Sequence, residues 1–309
     1  MTRFRDLKVS TKIGVGFGVI TLILMGVVLI TIQQVKNMEA ITKQVVSLRT
    51  PTAHSSLMML NGINHSLAEL RGWVVLGDPR FKEQRAKAWS EQIEPSLKQL
   101  HDLSLQWQDT EDINHLQTIE ADLKVFKKYQ QEIENIARTV ENMPARKILF
   151  EQVEPLEGQL MAYITRLVNL EMRIPPSSNN RKALLGVMAD LEGTASLAME
   201  KAEEFLLSGS PEFKKEFEEA WTKNTKRFND LKENFGLMSA EQKKVFQRLE
   251  KARNKIGPLF QKIIEIRSGE EWNLANAWLV NKAVPVATRI KAHLHELTTH
   301  QNQLLDDDM

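Results

Sequence analysis

From about residue 35 onward, apolar residues recur every three or four positions. Leu60, Ile63, Leu67, Leu70 and Val74 step 3-4-3-4, and Leu116, Ile119, Leu123 and Phe126 continue the pattern. Leu149, Val153, Leu156, Leu160, Tyr163, Leu167 and Leu170 form a third seam. The second half writes it again in Leu184, Met188, Leu191, Ala195, Ala198, Ala202 and Phe205, in Val245, Leu249, Ala252, Ile256 and Leu259, and in Ile290, Leu294 and Leu297. Such seams belong to helices packed in left-handed bundles. No window alternates with period two long enough for a strand, so the predicted fold is all-α. Caps and breakers set eight helices at about 33–76, 80–107, 111–140, 144–172, 181–207, 211–235, 239–266 and 271–304. "QDTED" and "GLMSAEQ" read as N-caps with acidic first turns. The first helix, at 1.5 Å per residue, would rise ~66 Å against ~42 Å for the second.

One stretch breaks the amphipathic pattern. Ile13 to Ile32 is apolar but for two threonines and carries no charge. It has the length of a helix crossing a bilayer core. No small-residue cleavage site follows in "TIQQVKNMEA", so an uncleaved anchor is expected rather than a secretory signal. Arg3, Arg5, Lys8 and Lys12 precede it. The positive-inside rule then leaves residues 1–12 in the cytoplasm and sends everything after the span across the membrane. The apolar seam of the last helix still runs near "QNQLLDDDM", so the chain is expected to be a fragment of a longer receptor.

The chain also repeats itself. "RGWVVLGDPRF" (71–81) and "EEFLLSGSPEF" (203–213) share an apolar helix end, a glycine, a capping residue and a proline. The glycine suits the left-handed position that closes a helix. Asp78 or Ser210 then caps a helix whose first residue is proline. Pro79/Pro211, Phe81/Phe213 and Trp89/Trp221 share an offset of 132, whereas Ala145/Ala275, Leu149/Leu279 and Pro155/Pro285 share 130. A two-residue deletion in an intervening turn would explain the change. The expected organisation is a cytoplasmic segment 1–12, a transmembrane helix 13–32, a first four-helix repeat 33–175 and a second 176–309. "RIPPSSNNRK" (173–182) reads as the linker.

Composition and chemistry narrow the function. A formal net charge of +1 gives no argument for nucleic acid. The absence of cysteine excludes disulfides, thiolate metal sites and cysteine nucleophiles. None of the seven histidines lies in a metal-binding helical motif, and His293 and His295 fall on different helix faces. There is no phosphate loop and no nucleophile elbow, so no catalytic constellation and no cofactor is expected. Prolines 51, 95, 155, 258 and 285 interrupt predicted helices, where each should kink or split its helix. Arginines near them are the candidate ligand residues: Arg49 with Thr50 beside Pro51, Arg71 before the first repeated turn, Arg146, and Arg289 after Pro285. An arginine facing a bundle interior needs an anion, and a small carboxylate fits its fork bidentately. Arg49 and Thr50 are expected to face Arg289 across one module and clamp such an anion.

A basic start, "FRDLKVSTKIGVGFG", one span, "RTP" early and "RGWVVLGD" closing a long first helix resemble the four-helix-bundle sensor region of bacterial methyl-accepting chemotaxis receptors. With the doubling, the chain is similar to their helical bimodular sensor domains. The resemblance implies two four-helix modules stacked along the membrane normal, a homodimer in the bacterial inner membrane, and a ligand pocket between helices in each module. Small organic acids are the implied ligands, and docking of a periplasmic binding protein is the alternative. The same input region also serves sensor histidine kinases and nucleotide cyclases.

Overall fold

The computed structural model describes residues 8–175 and 179–308. Residues 1–7 of the basic segment and 176–178 of the expected linker lie outside the described residues. Eight helices are found among the described residues, and no strand. The first, α1 (9–76), runs as Val9–Gln44, a π turn Val45–Arg49 and Thr50–Leu76; α2 (79–104) contains a π turn at Ala88–Ile93; α3 is Thr110–Ile136. Then α4 (144–172) contains a π turn at Leu149–Val153, α5 is Asn179–Ser208, α6 is Pro211–Glu233, α7 is Ala240–Ser268, and α8 (274–308) contains a π turn at Leu279–Ala283.

Residues 12 to 76 of α1 include the one stretch among the described residues long and apolar enough to cross a membrane. Phe17, Leu22 and Leu29 are exposed along it. Apolar side chains without protein cover need lipid in place of water.

The turn written twice is built twice. Gly77 has φ +70° and Gly209 φ +69°. Their amides donate to Trp73 O and Phe205 O, at 2.9 and 2.8 Å. Asp78 and Ser210 then accept from Arg80 N and Glu212 N, with Pro79 and Pro211 at the first helical position. A further match is unexpected. Arg138 donates to Trp73 O (3.3 Å) and Arg267 to Leu206 O (2.9 Å), so an arginine bonds a carbonyl of the last turn at each helix end. Trp89 lies 5.9 Å from Phe126 of α3, and Trp221 lies 5.1 Å from Phe260 of α7. Each tryptophan therefore packs on the following helix of its own repeat. α2 holds a π turn that α6 lacks, and a π turn carries one extra residue, so it accounts for one of the two residues by which the offset changes.

A Cβ at Gly77 would lie 2.3 Å from the Arg138 guanidinium, and at Gly209 2.5 Å from that of Arg267. Alanine at either position should cost ~1–2 kcal/mol for the left-handed backbone alone. It should also displace the arginine from the carbonyls. Gly158 lies in α4 with nothing near its Cβ position, so Gly158→Ala should stabilise by up to ~1 kcal/mol. Urea unfolding of the three variants followed by circular dichroism checks the contrast. Equal midpoints for all three would refute it.

At four of the five prolines the expected interruption takes the form of a π turn, and the helix resumes beyond it. Each of Pro51, Pro95, Pro155 and Pro285 lies two residues past a π turn. In each case the residue before the proline donates to the carbonyl five back: Thr50 to Val45, Glu94 to Trp89, Glu154 to Leu149 and Val284 to Leu279. The wider turn absorbs the ring and the missing donor, and the helix continues. Pro258 lies inside α7 without a π turn.

The compact units do not follow the sequential division into 33–175 and 176–309. One unit takes the described chain up to Leu70, Asp78–Lys127 and the chain from Pro285 onward; the other takes Arg71–Gly77 and Lys128–Val284. The first thus holds most of α1, α2, most of α3 and most of α8. The second holds α4, α5, α6 and α7. In repeat terms each unit contains one helix of each of the four kinds, but the fourth helix is exchanged. The third and fourth helices are joined by 3-10 turns, Val140–Asn142 and Glu270–Trp272, and α4 packs on α5 and α7. The core of the first unit is Met59, Ile63, Leu70, Ile93, Leu100, Ile119, Phe126 and Ile290. That of the second is Val153, Leu160, Leu167, Met188, Leu191, Phe246, Phe260 and Ile263.

Candidate functional site

The first unit contains a polar cluster where α1, the 105–109 connection, α3 and α8 meet. Arg49 closes the π turn of α1, and such turns recur at functional sites because they re-aim a side chain without ending the helix. Its guanidinium donates to Gln301 Oε1 at 3.2 Å. Gln301 Nε2 donates to Asp112 Oδ2 at 2.7 Å, and His300 Nδ1 donates to Asp112 Oδ1 at 2.9 Å. Asp112 and Gln301 are each 1% exposed. A buried carboxylate requires such donors, because its desolvation otherwise goes uncompensated. Asp109 Oδ1 accepts from Glu111 N and so caps α3, as the "QDTED" pattern predicts.

A cavity of about 250 Å³ adjoins this cluster, lined among others by Leu48, Arg49, Trp107, Asp112 and Gln301. Trp107 is 7% exposed, and its indole Nε1 is buried without a hydrogen-bond partner. A buried N–H left unpaired costs free energy unless something in the site accepts from it. The wall sets the Arg49 guanidinium and the Trp107 indole beside glutamine amides and the carboxylates of Asp109 and Asp112, the second of which is taken up by Gln301 and His300. A guanidinium and an indole N–H are donors suited to an oxygen of an anion.

The other predicted residues fall elsewhere. Thr50 is exposed beside Arg49. Arg289 belongs to the same unit but does not face Arg49. Its guanidinium is paired bidentately with Asp122 at 3.1 and 2.8 Å and stays exposed. It lies twelve residues before Gln301 on α8, or ~18 Å along the helix. The expected clamp of Arg49 and Arg289 on one anion does not form. Arg71 and Arg146 belong to the second unit and are exposed. Arg146 lies over Phe150, 5.5 Å from the ring centroid.

An arginine of the second unit that faces inward, and that sequence reasoning passed over, is Arg253. Its guanidinium lies between Trp221 (4.6 Å) and Phe228 (4.8 Å). It donates to Thr225 Oγ1 at 2.7 Å and Asn224 Oδ1 at 3.3 Å, both neutral. Burial lowers its pKa from the ordinary guanidinium value. Its signal was its place beside Ala252 on the α7 seam. For Trp107, Asp112 and Gln301 no signal exists in the sequence, because the 105–109 connection and α3 meet α8 only in the folded chain.

One protein family matches the chain, described as a four helix bundle sensory module for signal transduction, over residues 6–181. No curated protein and no solved structure matches.

Proposed function

We propose that this chain, which belongs to the family of four helix bundle sensory modules for signal transduction, detects a small organic acid outside the cytoplasm as the input region of a membrane chemoreceptor. The observation that carries the reading is the unpartnered indole N–H of Trp107 in the wall of a cavity shared with Arg49. A carboxylate would accept from both. Arg49 adds the charge, and Trp107 adds direction.

The location supports a transmitting role. Leu48 and Arg49 come from α1, and Gln301 and Leu304 from α8. Arg49 lies seventeen residues beyond Ile32 on the same helix, or ~26 Å from the apolar stretch. A ligand bound between α1 and α8 favours one spacing of these helices over another, which is the differential contact a signal requires. With the basic N-terminus in the cytoplasm, α1 carries that change into the membrane. Val35, Met38, Val46 and Leu57 are exposed on α1. They offer an apolar surface for a second copy in a homodimer.

The test is calorimetry on the detergent-solubilised chain against a panel of mono-, di- and tricarboxylic acids and amino acids. Trp107→Phe keeps the ring and removes the donor. A hydrogen bond to a charged group is worth ~1.5–3 kcal/mol, so affinity should fall about tenfold or more. Arg49→Ala should lower it at least as far. Unchanged binding in both variants, with native circular dichroism, would dispose of this site.

A further inference from the structure

We propose that His115, His293 and Glu296 form a binding site for a divalent transition-metal ion of the zinc class. The three residues come from α3 and α8 within the first unit, so no linear motif announces them. His115 Nδ1 lies 2.8 Å from His293 Nδ1. Glu296 Oε2 lies 3.4 Å from the former and 3.6 Å from the latter. With metal–ligand bonds of about 2.0–2.1 Å, neighbouring ligand atoms around a tetrahedral zinc ion stand about 3.3 Å apart. One nitrogen pair is slightly closer than that edge, and the two nitrogen–oxygen separations match it. Two imidazoles and a carboxylate form a donor set zinc accepts, and three protein ligands leave a fourth position for water.

The surroundings permit entry. His115 and His293 are half-buried and Glu296 is exposed. His115 and Glu296 also line an open cleft of about 450 Å³, with Glu111, Thr299 and His300 on its other walls. His293 and Glu296 are three apart on α8, so helix geometry alone keeps them on one face. Without metal, a 2.8 Å contact needs one Nδ1 protonated and the other bare. Metal binding needs both bare, which a neutral imidazole meets by carrying its proton on Nε2 instead of Nδ1. The ion would then tie α8 to α3 through bonds that hold only while it is present. This site is separate from the carboxylate pocket and does not depend on it.

The experiment uses the full chain in detergent, purified without a polyhistidine tag, and zinc chloride alone as the probe. Calorimetry and elemental analysis after dialysis should give one zinc per chain. Cobalt(II) should give the visible absorption of a four-coordinate site. His115→Gln and His293→Gln should each weaken binding by at least about 100-fold, beyond the loss typical of ligand-supporting groups. Glu296→Gln changes only an exposed side chain, so it tests the site even where a histidine variant folds poorly, and should weaken binding at least tenfold. His101→Gln, an exposed histidine on α2, should bind as the wild type does. No stoichiometric zinc uptake by the wild type would overturn the proposal. So would uptake that the Glu296 and histidine variants retain in full.

Discussion

Arg181→Ala is expected to destabilise the protein by ~3–5 kcal/mol, the range for breaking one side of a buried ion pair. Glu171, near the end of α4, is 4% exposed. Arg181 Nε lies 2.9 Å from its Oε1, and Arg181 also donates to its Oε2 at 2.9 Å. Gln242 Nε2 donates to the same Oε2 at 2.8 Å. The remaining end of the guanidinium bonds Leu237 O in the α6–α7 connection. Removing the arginine leaves a buried carboxylate with a single amide donor and an open carbonyl nearby. The double variant Glu171→Leu, Arg181→Met removes the charge as well, so it should recover most of the loss, because apolar replacements of buried pairs are often neutral. Denaturant unfolding of the wild type and both variants measures this. A loss under 1 kcal/mol for Arg181→Ala would mean that water already screens the pair.

This pair also shows what the sequence could and could not convey. The stretch 173–182 read as a linker, which gave Arg181 no role. Its partner Glu171 had no role in the sequence reading. The capping box was legible: Ser239 Oγ accepts from Gln242 N at 3.2 Å and Gln242 Oε1 from Ser239 N at 2.8 Å. That the other end of the Gln242 amide reaches Glu171 was not, because it depends on α4 and α7 sharing a unit. The helical seams were legible for the same reason as the cap. Both are local patterns, set by spacing along one helix. Ile63, Leu67, Leu123 and Leu167 are buried as their spacing required. Leu60 is only half-buried and Met59 fully buried, which shifts that seam by one residue.

Long-range assembly was not local and was misjudged. The repeat suggested that each set of four consecutive helices would close on itself, whereas α4 and α8 are exchanged between units. Arg49 was legible because the proline two residues on marks a backbone irregularity. Its partners were not. Gln301 and Asp112 stand 252 and 63 residues away, and nothing in the sequence pairs them. The arginines guessed from proximity to prolines alone, Arg146 and Arg289, sit on outward faces, because a π turn lets the helix continue and does not bring its flanks inward.

Phe260→Ala should cost ~3–5 kcal/mol, the range for truncating a buried aromatic side chain. Phe260 is 1% exposed. Its ring centroid lies 5.0 Å from Phe217 and 5.1 Å from Trp221, both on α6. Truncation loses the transfer free energy of the ring and leaves a cavity that two rigid aromatic neighbours cannot easily fill. Each aromatic pair adds ~0.5–1.5 kcal/mol beyond its area. Phe260→Leu keeps much of the volume and should cost much less, at most a few kcal/mol. Phe150, which is 50% exposed on α4, provides the reference. Its replacement by alanine should shift stability by no more than ~0.5 kcal/mol. The denaturant midpoint should fall steeply for Phe260→Ala while the slope of the transition stays constant, since a core cavity changes stability and not the surface exposed on unfolding. A changed slope would show instead that α6 and α7 separate without the ring. Arg253, which reaches Trp221 from α7, would then lose its place over the indole as well.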